Sequence, residues 1–371
     1  MKVLVTGGAG FIGSHTVDLL LEKGYQVRVL DALRHPVHDN GCKPEYLPPE
    51  VEFIQGDVRS REDMARALEG MDFIFHLAAY QDYLPDFSTF AFTNDGGTAL
   101  LYELIVERKY PIQKVVVASS QAVYGEGKYE CPEHGIQYPP PRPMEQLMRR
   151  QWEPRCSQCG GEMKVCLTDE VQVNPANQYA ISKYTQELYA LILGKRYGIP
   201  TVVMRYSITQ GARQSFHNAY SGILRIFATR LLNGRPPVVY EDGLQLRDYV
   251  SVRDVARANL LVLEDERADY HAFNVGGDRQ VTVLEYAYLL ARKLGVDIEP
   301  EVPGKFRFGD TRHIISDVSK LRALGWEPVT PLETIVEEYL AWLQTQPGVK
   351  DAYSEAEKVM EQVGTLRSAS C

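Results

Sequence analysis

Long apolar runs are missing from this chain. No stretch approaches the roughly 20 residues that a membrane-spanning helix requires. Met1 leads straight into the strand-like run Lys2–Thr6, without the charged leader and apolar segment of an export signal. The expected location is the cytoplasm, and no membrane partner is expected. An excess of positive charge is missing too: 40 lysines and arginines stand against 49 aspartates and glutamates, for a net charge of -9. Such a chain offers no broad basic surface to a phosphate backbone, so nucleic acid is disfavoured as the main partner. Cysteine is scarce and unevenly placed. Of six, four fall between Cys131 and Cys166, and without a sign of export that clustering points to a local metal site rather than a disulfide framework. Internal repeats and low-complexity tracts are absent.

What is present is an ordinary globular composition over 371 residues, 44% hydrophobic and 24% charged, enough for a large α/β core with a smaller lobe. The first third alternates β-branched runs with helical patterns: VLVTG, HTVDLLLEKG, QVRVLD, EFIQGD, MARALEG and FIFHLAA. This is the βαβ rhythm of a Rossmann doubly wound parallel sheet, covered on both faces. KVVVASS and TVVMRYS add strands, which puts the end of this first domain, 1–205, at Arg205. The rhythm breaks over 129–174, where YPPPRP, an arginine-rich turn and CSQCGGEMKVC read as an insertion. Residues 206–345 read as a smaller C-terminal substrate lobe interleaved with the sheet, and 346–371 as a charged tail of roughly helical period.

TGGAGFIGSH sets Gly7, Gly10 and Gly13 at G-x-x-G-x-x-G spacing between a strand and a helix. Glycine there allows a tight turn, a close approach of pyrophosphate to the backbone, and close packing of helix on strand. The helix N-terminus then offers free N–H groups to the anion. Asp31 ends the second strand, where a carboxylate accepts hydrogen bonds from an adenosine ribose and repels a 2′-phosphate. NAD is therefore favoured over NADP as cofactor. Arg34 and His35, just beyond, are the residues that speak for NADP.

In NQYAISKYTQE, Tyr179 and Lys183 lie four apart on a helical pattern and so share a face. A phenol with a pKa of about 10 is a weak base at neutral pH. A neighbouring ammonium and a cationic nicotinamide favour the phenolate, which makes Tyr179 the general base, with Lys183 its partner and a ribose ligand. Ser119 and Ser120 end the strand KVVVASS, where a hydroxyl can meet the substrate alcohol. Serine, tyrosine and lysine together form a proton path for oxidising a C–OH group.

With TGGAGFIGSH, Asp57 in GDV, HLAA, the N-x-x-G-T of Asn94 to Thr98, ASSQAVYG, YAISK, RDYVSVRDVA and FGDTRH, the chain resembles the extended short-chain dehydrogenase/reductase family of nucleotide-sugar epimerases. The resemblance runs from Met1 to about Leu343. It implies that Gly7, Gly10, Phe11, Ile12, Gly13, Asp31, Asp57, Val58, Leu77, Ala78, Ala79, Asn94, Tyr179 and Lys183 bind NAD, and that Ser120 stands beside the reacting hydroxyl. It also implies a homodimer paired through TALLYELIVERK and TQELYALILGKRYG, whose apolar stripes are wide. Similar dehydratases follow the serine with Asp-Glu, and similar uronate decarboxylases keep a Glu before V-Y-G. Gln121 and Ala122 stand here instead; neither can act as acid or base, which leaves epimerisation, with C4 the expected centre. In that scheme Tyr179 takes the hydroxyl proton as hydride passes to NAD, and the keto sugar swings about its diphosphate to receive hydride on its other face. Net redox is zero.

Arg247 in LRDYV and Arg307 in RFGD occupy family-like positions for cationic forks on the diphosphate, with Asp310 to orient them. Ser120, Gln121 and Arg205 complete the expected substrate set. Two departures stand out. The family's R-x-x-N-x-x-G loop has Ile208 in its asparagine slot, and after HLAA the segment YQDYLPDF brings Asp82 and Asp86 toward the sugar pocket, which disfavours an acidic sugar.

Cys156 and Cys159 form a C-x-x-C knuckle, and Cys131 with His134 a C-x-x-H pair. Two closely spaced pairs of soft ligands suit a structural, tetrahedral zinc in a zinc-ribbon-like insertion; Cys166 competes for the fourth position. A similar insertion is associated with dTDP-L-rhamnose 4-epimerases, which implies a dTDP-6-deoxyhexose as the nucleotide-sugar substrate, ahead of UDP-hexose or UDP-uronate. Two rivals use the same fold. A keto-sugar reductase would employ the same triad and release NAD(P) each turnover, and a non-catalytic dinucleotide sensor could dispense with Tyr179 or Lys183.

Overall fold

The N-terminal strands carry apolar side chains on both faces, which only a sheet covered by helices on both sides can bury. The computed structural model describes residues 1–35, 37–38, 41–82, 84–217 and 222–369. In it these strands are β1 (Lys2–Thr6), β2 (Gln26–Asp31), β3 (Glu52–Gln55), β4 (Phe73–His76) and β5 (Lys114–Ser120). Among the described residues they join β9 (Thr201–Tyr206) and β12 (His271–Val275) in a seven-stranded parallel sheet of order β12-β9-β5-β4-β1-β2-β3. Alternation divides the core. Val3, Val5, Phe75, Val116 and Met204 pack under the helices Phe11–Glu22 and Val252–Glu264, while Leu4, Leu30, Ile74 and Val117 pack against Arg61–Leu68 and Gly97–Arg108. Strand order reverses between β1 and β4, and a ligand crevice opens outside the strand ends at such a reversal.

The insertion folds as an antiparallel ribbon of β6 (Tyr129–Cys131), β7 (Gly135–Gln137) and β8 (Lys164–Val165), in the order β7-β6-β8. The lobe is built on β10 (Ile208–Gln210), β11 (Leu246–Ser251) and β13 (Gln280–Thr282), with the helices Ile223–Leu232, Val283–Leu294 and Leu332–Gln344 burying its core. The strand β14 (Lys305–Arg307) then carries the chain back toward the crevice.

Two expected boundaries move. Residue 205 is not a packing boundary, because β12 and the helix Val252–Glu264, both later in sequence, belong to the large sheet. Tyr206 donates to Asn259 at 2.7 Å and Asn259 to Thr16 at 3.1 Å, which ties that late helix to the first one. Nor is 346–371 a bare tail. Its helix Tyr353–Gln362 buries Tyr353, Ala356 and Met360, and its strand β15 (Leu366–Ser368) pairs antiparallel with β14. No helix among the described residues is long and apolar enough to cross a membrane.

Candidate active site

Glycine stands where a side chain could not. A Cβ on Gly13 would lie 2.1 Å from the Gly7 carbonyl oxygen, and one on Gly7, whose φ is +69°, 2.8 Å from the Ala78 backbone. The helix Phe11–Glu22 starts at Gly10 with no side-chain cap and no acidic residue in its first turn, so its N–H groups are left for an anion. Asp31 is held by the N–H groups of Ala9 at 3.0 Å and Leu33 at 2.9 Å. Arg34, the residue that spoke for a 2′-phosphate, pairs with Asp57 at 2.7 Å, and Asp57 also takes a two-pronged bond from Arg59.

A cleft of about 750 Å³ brings these residues together with the rest of the expected set. Its walls include Gly7, Gly10 to Gly13, Asp31, Asp57, Val58 and Leu77 to Ala79, then Ser120, Gln121, Tyr179 and Lys183, then Arg247, Arg307 and Asp310. The volume lies within the roughly 300–1,000 Å³ typical of small-molecule sites.

Asn177 begins the tyrosine helix, Gln178–Leu188, by accepting the Ala180 N–H at 2.9 Å. One turn separates Tyr179 from Lys183. Lys183 is buried, and its ammonium donates to the Ala118 carbonyl at 2.9 Å and to Gln186 at 2.8 Å. Burial pulls its pKa down to about 7, against the opposing pull of Glu187 and Asp95. A lysine titrating near neutrality beside a phenol can pass on a proton as well as hold one. The two serines divide their work: Ser119 donates to Glu187 at 2.5 Å, whereas Ser120 stands on the cleft wall, its Oγ accepting the Ala122 N–H at 3.2 Å.

Arg247 extends from β11 with its guanidinium fixed by the carbonyls of Leu246 and Arg312 at 2.8 Å and Thr311 at 2.7 Å. The Asp310 carboxylate accepts from Arg307 Nε at 2.7 Å. The insertion grips the same loop. Arg142 donates to the Asp310 carbonyl at 2.7 Å and to Glu126 at 2.8 Å, while Glu153 receives Arg312 at 2.8 Å and His313 Nε2 at 2.9 Å. His313 Nδ1 accepts the Leu246 N–H, so Nε2 is the nitrogen that carries the proton.

Two expected ligands lie outside the cleft. Arg205 is buried, giving both prongs to Glu187 at 2.9 and 2.7 Å and its remaining donors to Tyr124 at 2.9 Å and the Glu170 carbonyl at 3.3 Å. It braces the site from beneath. Asn94 is also fully buried: it accepts the Tyr80 N–H at 2.7 Å and donates to Ser182 at 2.8 Å, fastening the segment after β4 to the tyrosine helix. Of the two acidic residues after HLAA, Asp82 lines the cleft, and Asp86 instead accepts the Tyr80 hydroxyl at 2.5 Å.

Away from the cleft, the ligand atoms of Cys131, His134, Cys156 and Cys159 lie within 4.8 Å of one another. The sulfurs of Cys131 and Cys156 are each 3.6 Å from His134 Nδ1, and Cys131 is 3.8 Å from Cys159. Cys166 is outside this group, its sulfur 3.8 Å from the Lys164 carbonyl.

The profile described as the NAD dependent epimerase/dehydratase family matches residues 3–147 and 158–276, with its gap inside the insertion. The chain belongs to that family. The chain is 32% identical to a dTDP-L-rhamnose 4-epimerase of Burkholderia thailandensis over 348 residues, covering 92% of this chain and 94% of the relative. The structure of UDP-glucose 4-epimerase from Thermotoga maritima with UDP-glucose superimposes with a TM-score of 0.76 at 33% identity, covering 93% of this chain and 99% of that one. That of the Thermus thermophilus UDP-glucose 4-epimerase in complex with NAD gives 0.72 at 30% identity, with the same coverage.

Several residues of this epimerase/dehydratase site went unread in the sequence. Glu187 lies four residues beyond Lys183, on the same face as Tyr179, and that spacing was the available signal. Tyr249, inside the RDYVSVRDVA motif, and Tyr240, Gln245, Tyr353 and Met360, from segments with no motif, also line the cleft. Replacing Glu187 by Gln leaves the buried Arg205 charge uncompensated. The variant is expected to lose about 3–5 kcal/mol of stability, read as a lower denaturation midpoint in urea; an unchanged midpoint would show that the pair carries no structural weight.

Proposed function

We propose that this enzyme is an NAD-dependent nucleotide-sugar 4-epimerase whose foremost substrate is a dTDP-6-deoxyhexose, with a UDP-hexose or UDP-uronate next. One observation carries the reading: a single cleft joins the glycine turn and Asp31 to Ser120, Tyr179 and Lys183 and to the paired arginines. Gln121 and Ala122 fill the positions where an eliminating relative needs acids. The similarity to a dTDP-L-rhamnose 4-epimerase supports the choice of sugar, and Asp82 in the cleft wall argues against a uronate.

The uncapped helix at Gly10, the close approach at Gly7 and Gly13, and the anchored Asp31 carboxylate fit a dinucleotide without a 2′-phosphate. Bound NAD supplies a reversible hydride acceptor. Tyr179 takes the proton of the C4 hydroxyl, which Ser120 holds by hydrogen bond. Lys183 favours the phenolate and relays its proton. Arg247 and Arg307, both fixed by neighbouring groups, hold the diphosphate while the sugar turns over. Gln121 Oε1, a buried acceptor with no partner among the described residues, suits a sugar hydroxyl.

Purified enzyme, with no added cofactor, should convert one member of a dTDP-, UDP-, GDP- and CDP-sugar panel to its C4 epimer, followed by NMR. Tyr179→Phe should lower kcat by about 10²–10⁴-fold with NAD retained. Turnover that depends on added NAD(P)H would replace the epimerase by a reductase.

The insertion fits a structural zinc. Metal–ligand distances of about 2.3 Å to sulfur and 2.0 Å to nitrogen give tetrahedral edges of about 3.8 Å between sulfurs and 3.5 Å between sulfur and nitrogen, close to the 3.8 Å of Cys131–Cys159 and the 3.6 Å from His134 to Cys131 and Cys156, with the whole set inside 4.8 Å. Backbone N–H groups of Gln158 and Gly161 also point at the sulfurs of Cys156 and Cys159. Such free thiols suit a reducing cytoplasm, the proposed location. Elemental analysis should find one zinc per chain, lost in Cys156→Ser together with a lower melting temperature; a full-strength fold with no metal would refute the site.

A homodimer is proposed through the tyrosine helix. Ile181 and Leu188 on it, and Tyr189 and Ile192 on its continuation, are exposed although apolar, as is Phe92. Exposed apolar faces of this kind mark interaction surfaces. Sedimentation should show a dimer for the wild type and a monomer for Ile192→Glu; equal sedimentation of the two would exclude this interface.

A further inference from the structure

The cleft continues past the paired arginines. Val238, Tyr240, Ile226 and Phe227 line it, and so do Tyr353 and Met360 from the C-terminal segment, which lies beyond the region matched by the family profile. This segment is firmly built in. Asp351 is buried against Arg230 and Arg235 and accepts the Tyr353 N–H at 2.9 Å, starting the helix Tyr353–Gln362. Tyr353, Met360 and Leu366 form one apolar cluster with Val238 and Tyr240, and the Tyr353 and Tyr240 hydroxyls meet at 3.0 Å.

The same segment holds Arg307. In the β14–β15 ladder Arg307 is the partner of Leu366, and Lys305 on β14 pairs with Glu357 at 3.0 Å and Glu361 at 2.8 Å. The Arg307 guanidinium lies over the Tyr240 ring, 5.2 Å from its centre. Beside this wall Gln245 is buried, and its Oε1 has no hydrogen-bond partner among the described residues.

We propose that residues 349–369 are a working part of the substrate site: Tyr353 and Met360, with Tyr240, form the apolar wall for a pyrimidine base, and β15 sets the position of Arg307. The inference rests on the nucleotide-sugar reading. With the sugar at Tyr179 and the diphosphate at Arg247 and Arg307, the base falls beyond the arginines, where the wall turns aromatic and apolar. A flat base buries its faces on such a wall. Gln245 Oε1 is an acceptor suited to the N3–H of uracil or thymine.

The test is calorimetric titration of the NAD-loaded full chain with free dTDP and UDP, for the wild type, Met360→Ala, Tyr353→Leu and a chain ending at Gly348. Bound NAD and melting temperature are measured alongside. The shortened chain should bind both nucleotides at least tenfold more weakly with NAD retained, and Met360→Ala several-fold more weakly, with KM for the sugar nucleotide rising more than kcat falls. If the shortened chain does not fold, the two point variants decide. Wild-type binding within twofold in folded Met360→Ala and Tyr353→Leu overturns the role of the segment and leaves the epimerase reading intact. Failure of the wild type to bind either nucleotide overturns both.

Discussion

One guanidinium sets the register of the reactive wall. Arg205 leaves the end of β9 and divides its donors among Glu187 on the tyrosine helix, Tyr124 in the turn that follows Ser120, and the backbone at Glu170 where the insertion rejoins the sheet. The serine turn, the tyrosine helix and the insertion's exit are thereby referred to one point. A buried ion pair often adds little net stability over an apolar replacement. Its directional bonds nevertheless fix positions that apolar packing would leave to slide. Glu187 has a second effect: it supports the charged form of Lys183 against burial, so structural and protonic roles meet in one carboxylate.

Local patterns carried most of the fold into view. The glycine turn, the alternating strands and the Tyr179–Lys183 spacing each depend on residues within a turn or two of one another, and each is found where the sequence indicated. The bracing contacts of Arg205 and Asn94 were hidden for a common reason. A motif shows which residue occupies a position but not which way its side chain leaves the backbone, and in both cases a distant partner, Glu187 or Tyr80, decides that. The C-terminal segment was hidden by its charges. Tyr353, Ala356 and Met360 recur at i, i+3 and i+7, a buried stripe, but the acidic outer face dominates the composition. The cysteine cluster was legible because paired ligands at short spacing need little tertiary information, and only geometry could separate His134 from Cys166.

The insertion and the C-terminal segment act on one short stretch, Lys305 to His313, from two directions. Arg142 and Glu153 hold its later half, and β15 holds its start. Trp152 from the insertion packs on Phe306, ring centres 6.0 Å apart. Arg307, which lies on this stretch, and Arg247, whose guanidinium is held by the Thr311 and Arg312 carbonyls within it, therefore have little freedom of their own, which reduces the ordering cost of gripping a ligand there.

The late arrival of β12 and its preceding helix has a consequence for synthesis. The first helix, Phe11–Glu22, packs its outer face against Val252–Glu264. At a translation rate of ~5–20 residues per second, roughly 10–50 s separate the two as they emerge. Through that interval the first helix lacks its later partner, and once β9 has been made its edge waits for β12. The large sheet and the cover of its first helix are thus complete only once residues 252–275 have been made, about halfway through the segment that also builds the lobe.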